Sequence, residues 1–391
     1  MRHFTLYADI YPTGHKKILE KLKSLVDSGD IPRLTGIISQ HDTSNGYWGN
    51  ANKCAESLLV EPPLTRMFYQ KDINDQGELV VRRKIEIKHM PHRDFWAEIV
   101  ESSIAEALRK PTKGEAIITP VIDTYADTAV PVAQLQHDPY FIKRSGHDFR
   151  YVHFNHSIAA FVLAKMKDKG DTRKVFAGIF LGSDNLEQPD FLKMIDLYKS
   201  LNVSGYFLVM QDIDFASSVE VLSRLKNFMG KLLAASPERS IVLYRAGMLG
   251  ALYSAIFPAA FIGSTYGLPY RDSYNIRNIN PAQDVRPLRR SKLVYSPKFL
   301  NTVKIQDALR VWDRLDIGLT PEEAEGNFGA MVQMARETQN FAHRLNGTTD
   351  KVAMLRDFLS QGVALADSLP ATFPPDYSAH LSRWLQLLKA L

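Results

Sequence analysis

KVFAGIFLGSDNLEQPDFLKMIDLYKSLNVSGYFLVMQD, residues 174–212, contains the pattern that decides the fold. Two nearly continuous apolar runs, Lys174–Leu181 and Gly205–Asp212, flank the stretch Asp190–Leu201, in which apolar residues recur at helical spacing. An apolar strand, an amphipathic helix and a second apolar strand together predict parallel strands that are covered on both faces.

Units of the same kind occur on both sides of this stretch. The further candidates are the strands Ala116–Asp123, Ser240–Arg245, Ala259–Ser264 and Lys292–Tyr295, the helix Val219–Ala235, and an earlier β-α-β unit at Phe4–Ile10, His15–Val26 and Leu34–Ser39. This alternation fits a closed barrel or an open, doubly wound sheet. Because no G-x-G-x-x-G turn follows a strand, the sequence favours an α/β fold of the (βα)8 TIM-like barrel type.

An insertion is expected in the first part of the barrel. Leu64–Gln70 and Leu79–Lys88 flank the turn residues Asn74–Gly77. Two strand-like runs around such a turn predict a β-hairpin, which we place as an insertion around residues 60–90.

Beyond residue 318 the pattern is wholly helical. Thr320–Glu323 combines a helix N-cap, a proline at the first helical position and acidic residues in the first turn. The predicted helices run from this cap to Leu345, from Asp350 to Leu369 and from Ser378 to Leu391. We therefore predict a barrel over residues 1–318 and C-terminal helices over residues 319–391 that pack on it.

The composition excludes several classes of protein. With 45% hydrophobic and 23% charged residues, the chain is too apolar for disorder and too polar for a bundle of membrane spans. Its single cysteine, Cys54, excludes an internal disulfide and any zinc site that needs two thiolates. No basic and apolar leader begins the chain, and no apolar run reaches about 18 residues, so we expect a cytoplasmic protein without a membrane partner.

Polar residues close several of the predicted strands. They are Asp123, Gln211, Asp212, Asp214, Tyr244 and Arg245. Because the C-terminal ends of barrel strands form the active face, we expect Asp123, Gln211, Asp212 and Arg245 to line one pocket. The three aspartates would serve proton transfer or stabilise an oxocarbenium-like centre, and the other three residues would bind substrate. The competing interpretation is that each aspartate caps the helix that follows it.

The histidines do not have the spacing of a metal site. His153 and His156 lie in a segment that we interpret as a strand or loop, just before a helix that begins near Ser157. Neither H-E-x-x-H nor an H-x-H strand pattern is present. We predict no bound metal and no cofactor.

Positive charge is concentrated late in the chain. Residues 271–310 contain nine Lys/Arg and three Asp, a net charge of +6 against +5 for the whole chain. The candidate phosphate contacts are Arg271, Arg277, Arg286, Arg289, Arg290 and Lys292. Interleaved aromatics such as Tyr274, Tyr295 and Phe299 suit unstacked bases, so RNA or DNA is a candidate partner. The alternatives are a solvated face, and aromatics that are buried by neighbouring strands.

The order of these features resembles the tRNA-guanine transglycosylase family. Phe176–Gly182, followed by Gly205 and Tyr206, is similar to its base-recognition strand and its Gly-Tyr strand, and Gly247–Ala255 with Phe261–Arg271 is similar to the region of its nucleophile. The resemblance implies base exchange, and a role for Asp123 as the aspartate of its first strand.

The sequence also departs from that family. Leu181 and Gly263 stand where the family has its base-reading glutamine and its nucleophilic aspartate, and the cysteine-rich zinc site is missing. Under this resemblance, either Asp212 or Asp214 has become the nucleophile or catalysis has been lost.

Two hypotheses follow. The first is a barrel enzyme, a transferase or glycosidase, that acts on a nucleobase, nucleoside or nucleic acid through carboxylates at the barrel mouth. The second is a catalytically inactive barrel that binds nucleic acid or serves as a scaffold for protein assembly. The sequence leaves a protein partner or a homo-oligomer open.

Overall fold

The computed structural model describes residues 4–10, 12–40, 45–61, 69–73, 79–83, 116–119, 130–131, 150–211, 213–267, 292–325 and 327–390. In chain order, the strands of these ranges are β1 (Thr5–Asp9), β2 (Gly36–Gln40), β3 (Leu58–Glu61), β4 (Tyr69–Ile73), β5 (Leu79–Arg83), β6 (Ala116–Ile118), β7 (Val130–Pro131), β8 (Lys174–Gly182), β9 (Gly205–Gln211), β10 (Ser240–Tyr244), β11 (Ile262–Gly267), β12 (Leu293–Ser296) and β13 (Asn301–Lys304).

The helices of the same ranges follow the strands and continue to the C-terminal part. In chain order they are α1 (Pro12–Asp27), α2 (Asn45–Cys54), α3 (Arg150–Asp168), α4 (Pro189–Leu192), α5 (Met194–Lys199), α6 (Val219–Ala235), α7 (Leu249–Ile256), α8 (Ile305–Ala308), α9 (Pro321–Glu325), α10 (Asn327–Gly347), α11 (Lys351–Ser368) and α12 (Ala379–Lys389). Two short 3₁₀ turns lie at Leu309–Arg314 and Pro375–Tyr377.

Eight parallel strands close into a barrel in the order β1-β2-β3-β6-β8-β9-β10-β11, and β11 pairs with β1 to complete the ring. The neighbours around the ring follow the chain order, as right-handed crossovers through helices produce. The predicted TIM-like barrel with a C-terminal helical extension is confirmed.

Strand register determines which side chains point into the barrel. A Cβ on Gly36 would overlap the ring of Tyr7, and one on Gly263 would lie 3.1 Å from the same ring. Tyr7 therefore fills the interior between two glycines on flanking strands. A Cβ on Gly250 of α7 would overlap Ser264 of β11, so the Ser264 side chain points outwards, towards the helix layer. Alternation along a strand then places Asp9, two residues after Tyr7, on the interior face at the C-terminal end of β1.

Two barrel elements differ from the prediction. The third barrel strand, β3, was not predicted, because its four residues are too few to give a clear pattern. Its last two residues fall within the range that we assigned to an insertion. The predicted strand Lys292–Tyr295 is found as β12, but it pairs antiparallel with β13 outside the barrel. A turn at residues 297–300 follows it directly, so the chain forms a hairpin and not a crossover.

The inserted hairpin is present with shifted strands. β4 and β5 pair antiparallel, and β7 adds a third strand to their sheet. The predicted turn Asn74–Gly77 lies outside the described residues.

The C-terminal helices agree closely with their predicted spans. Thr320 and Glu323 form a capping box, in which the Thr320 Oγ1 accepts the Glu323 N–H at 3.2 Å and the Glu323 carboxylate accepts the Thr320 N–H at 2.9 Å. α10 packs against β1 and α1, and α11 and α12 pack on α7 and α6 respectively. None of the helices in the described ranges has the length and apolar character that crossing a bilayer requires.

Candidate active site

Asp9 is a buried carboxylate at the C-terminal face of the barrel. It ends β1, which reads Thr-Leu-Tyr-Ala-Asp, and its side chain is 1% exposed. Its backbone pairs with Gly267 on β11 and with Ile38 on β2, so it stands at the mouth of the ring between two neighbouring strands. A desolvated carboxylate at this position needs a polar or cationic partner.

Arg245, which follows β10 on the other side of β11 from β1, supplies that cation. Its Nη2 lies 3.5 Å from the Asp9 Oδ2, and its side chain is 21% exposed, so the guanidinium reaches from the buried carboxylate towards the mouth. The two residues are 236 positions apart in the chain. They meet because β10 and β1 both flank β11.

The backbone at Arg245 is strained. Its φ is +50°, a left-handed conformation that costs a residue with a Cβ roughly 1 kcal/mol or more. Its amide donates to the Thr265 Oγ1 at 2.7 Å, and the Gly247 amide donates to the Thr265 carbonyl at 3.0 Å, which fixes the turn from β10 into α7. Strained non-glycine residues persist where the surrounding structure holds them, and such positions concentrate at functional sites.

Tyr244 forms the aromatic wall under this cation. The guanidinium carbon of Arg245 lies 5.1 Å from the centroid of the Tyr244 ring, and Phe207 packs on the same ring at 5.3 Å. Tyr244 and Phe207 are both buried, so they form a packed aromatic layer against which the Arg245 guanidinium lies.

No protein-family model matches the chain, and no curated protein matches it. Among solved structures, the chain is similar to a mutant protein in complex with xylotriose, with a TM-score of 0.34 and 11% sequence identity over 68% of this chain and 84% of that chain.

The structure describes only part of the predicted pocket. Gln211 is the last residue of β9, and Tyr244 and Arg245 end and follow the neighbouring β10, so these three lie on adjacent strands at the C-terminal face. Asp123 and Asp212 lie outside the described residues. That all of these residues line one pocket stays a prediction.

Asp214 forms a turn. Its Oδ1 accepts the Ala216 N–H at 2.9 Å, and its own N–H donates to the Ser217 Oγ at 3.0 Å. The N-cap of α6 is Ser218, whose Oγ accepts the Val221 N–H at 3.3 Å, so Asp214 does not cap this helix. It supports the loop between β9 and α6 as turn-forming aspartates do. Its catalytic role stays a prediction.

The histidine segment is helical, and its predicted secondary structure was wrong. α3 begins at Arg150, so His153 and His156 both lie within it and not in a strand or loop before Ser157. Asn155 is the reason: this buried polar residue interrupts the apolar pattern between Val152 and Ile158. The His156 Nε2 lies 3.4 Å from the Ser200 Oγ.

Two other groups bear on metal and thiol chemistry. Within the part of the chain that the structure describes, no three His, Cys, Asp or Glu side chains come together in a group that could hold a metal ion.

Burial raises the pKa of the Cys54 thiol to about 12, and its Sγ donates to the Asn50 carbonyl at 3.2 Å, so this cysteine is a protonated core residue and not a nucleophile.

The described part of the basic segment differs from a base-stacking surface. Tyr295 and Phe299 are both buried in the core, so the aromatics here pack inside the protein and do not stack on bases. Lys292 lies 3.6 Å from Glu325, an exposed ion pair. The five predicted arginine contacts, Arg271, Arg277, Arg286, Arg289 and Arg290, and also Tyr274, lie outside the described residues.

Asp9 is the site residue that sequence reasoning missed. The signal was available, because Asp9 closes an apolar strand in the same way as Asp123 and Asp212. What the sequence does not show is the ring closure that brings β1 beside β11 and within reach of Arg245.

Proposed function

We propose that this chain is a barrel enzyme whose active site is the C-terminal mouth, and that it acts on the glycosidic bond of a nucleobase-containing substrate. The observation that carries the proposal is the Asp9–Arg245 salt bridge. Bringing a carboxylate and a guanidinium out of water is expensive, and replacing such a pair by apolar residues is often stabilising. A pair at the functional face, on a strained backbone, is better explained by chemistry than by packing.

The chemistry that suits these residues is general acid–base catalysis at an oxocarbenium-like carbon. One protonated carboxyl group would donate its proton to the leaving base, and a second, ionised carboxylate would attack or stabilise the sugar carbon until the incoming base or water bonds to that carbon. Asp9 is the best-supported candidate for the second role, because Arg245 holds it at the mouth. Asp123 and Asp212 are candidates for the first, and Gln211 and Tyr244 for contacts to the base.

An exchange and release assay tests this proposal. We expect the full chain to incorporate radiolabelled guanine into transfer RNA, or to release free base from nucleosides. Asp9→Asn, which keeps the shape of the side chain and removes its charge, should lower that rate by about 10²-fold or more.

The matched control is Asp376→Asn, which changes an exposed aspartate in a 3₁₀ turn and should leave the rate unchanged. If the wild-type chain neither exchanges nor releases a base, or if both variants lose the same fraction of activity, the proposal is wrong.

The nucleic-acid partner is a further part of this proposal, supported by the charge of residues 271–310. If that segment contacts phosphates, log affinity for single-stranded RNA should fall with log salt with a slope of about −0.7 per contact. Replacing Arg289, Arg290 and Lys292 by alanine should weaken binding and flatten the slope. Replacing Lys165 and Lys167 of α3, together with Lys169 just beyond its end, should have little effect on the affinity measured by filter binding or fluorescence titration.

Two results would count against this partner. Equal loss from both triple variants would mean that net charge alone acts. RNA binding by a chain without base exchange or release would favour the inactive scaffold over the enzyme.

A further inference from the structure

The loop that leaves β9 at the barrel mouth is held by the C-terminal helix. We call residues Ile213–Ser218 the mouth loop; it connects β9 to α6 and contains Asp214. Within the described residues, the hydrogen bonds inside this loop are short-range: Asp214 accepts from Ala216 and from Ser217, and donates to the Ser217 hydroxyl. Such local bonds open easily unless another element supports the loop.

α12 provides that support from more than 160 residues away in the chain. The Trp384 Nε1–H donates to the Phe215 carbonyl at 3.2 Å, and the Arg383 guanidinium donates to the Ala216 carbonyl. Two successive carbonyls of the mouth loop are thus satisfied by one helix. Trp384 itself is fully buried, so the contact is part of the core and not a surface association.

His380 is the centre of the same junction. Its ring packs edge-on against Phe215 at 5.1 Å and against Trp384 at 5.1 Å. Its Nε2–H donates to the Phe299 carbonyl at 2.9 Å, beside β13. The ring is buried, and its Nδ1 has no hydrogen-bond partner among the described residues.

We propose that α12 is a clasp for the mouth loop and that protonation of His380 opens it. The neutral ring fits this junction, with one donor satisfied and the other nitrogen facing apolar and aromatic groups. A second proton at Nδ1 would place an unpaired charge and an unsatisfied donor in the core. The charged ring must then leave, and the Trp384 and Arg383 bonds to the mouth loop leave with it.

Among the residues that the structure describes, no acidic side chain supplies a counter-ion to His380 in the closed state. Arg383, on the same helix as His380, carries a positive charge and would repel a protonated His380. In the mouth loop, Asp214 has its Oδ1 engaged with Ala216. Beside Phe299, Lys298 pairs with Asp316 at 3.5 Å.

The remaining neighbours lie further out. Glu220 in the first turn of α6 and Asp376 in the 3₁₀ turn before α12 are exposed, and Arg356 of α11 bonds the carbonyl of Leu388 near the far end of α12.

The direction of the pH effect follows from linkage. Burial, with a smaller contribution from Arg383, lowers the pKa of His380 from 6.5 to about 4. A base with a depressed pKa binds its proton better in the open state, so the clasp is fully formed above pH 6.5 and weakens as the pH falls towards 4. Over that range the ratio of open to closed clasp should rise by about 10²-fold.

Hydrogen exchange of the full chain tests the clasp. The reporters are the amides of Asp214, Ala216 and Ser217, with protection corrected for the intrinsic pH dependence of exchange. In the wild type we expect protection to fall about 10²-fold between pH 7 and pH 4. In His380→Gln, which keeps a donor for Phe299 and cannot titrate, it should change less than threefold.

Two further variants make the result decisive. His343→Gln removes a less buried histidine that bonds the Arg33 carbonyl in the same way, and should behave as wild type. Trp384→Phe removes the donor to Phe215 and should give low protection already at pH 7. The clasp is wrong if His380→Gln follows the wild-type pH curve, if Trp384→Phe keeps full protection, or if the amides of β9 and β10 lose protection together with the mouth loop.

Discussion

Replacing Arg239 by methionine is expected to lower the free energy of unfolding by about 4 kcal/mol. The buried guanidinium of Arg239 donates to the carbonyls of Tyr198, Lys199 and Leu201, at and just beyond the C-terminal end of α5, and to the Tyr206 hydroxyl. The Tyr198 carbonyl also accepts the Leu201 N–H, and the Tyr206 hydroxyl also bonds Ser236, so the loss falls mainly on the Lys199 and Leu201 carbonyls. The final carbonyls of a helix have no partner within it, so these two would be left without this donor. Urea unfolding followed by circular dichroism measures the loss.

A matched variant separates this network from arginine as such. Arg314 donates to the carbonyl and hydroxyl of Ser368, but its contacts are exposed, so Arg314→Met should cost about 0.5 kcal/mol or less. Arg239→Lys should recover less than half of the loss, because an ammonium cannot donate in the planar fork that spans three carbonyls. Equal free energies of unfolding for Arg239→Met and Arg314→Met would show that the buried hydrogen bonds of Arg239 do not contribute the expected stability.

The barrel could be predicted from the sequence because its strongest strands carry near-continuous apolar runs. β8, β9 and β10 were all placed within one or two residues of their ends. The short strand β3 was not predicted, since four residues give no measurable period. β12 was assigned correctly as a strand, but its pairing depends on the turn that follows it and not on its own composition.

The candidate site was only partly predictable, for a different reason. Polarity at the strand ends predicted Arg245 and Tyr244 as site residues, and the structure shows the Arg245 guanidinium over the Tyr244 ring. It did not identify Asp9 as the partner of Arg245, because the two are joined by ring closure over 236 positions. Tyr295 and Phe299 lie among basic residues in the sequence, and we predicted them as candidates for base stacking. Both are buried in the core, because charged neighbours in the sequence do not decide whether an aromatic side chain is exposed.

A buried amide on α10 binds backbone groups near the start of β1 and β2, at the opposite end of these strands from the candidate site. The Gln339 Oε1 accepts the Thr35 N–H at 2.8 Å, and its Nε2 donates to the Leu6 carbonyl at 2.9 Å. Seven residues later on the same helix face, Asn346 accepts the Phe4 N–H at 2.7 Å and donates to the Phe4 carbonyl at 2.8 Å. Both amides therefore satisfy backbone groups near the start of β1 and just before β2, ahead of Tyr7 and Gly36, where the pairing of these two strands begins.

Gln339→Leu is expected to destabilise the fold by about 3 kcal/mol, because it keeps the volume of the side chain, leaves the Thr35 amide without its acceptor and removes one of the two donors to the Leu6 carbonyl, the other being the Thr35 hydroxyl. The control is Gln361→Leu on α11, where the exposed amide bonds only Asp357 and its loss should cost about 0.5 kcal/mol or less. Both are measured as the shift of the urea midpoint at constant slope, which reports stability without a change in the surface exposed on unfolding. A Gln339→Leu variant within about 1 kcal/mol of the wild type would mean that water or another residue replaces the amide, and that α10 is held to β1 by apolar packing alone.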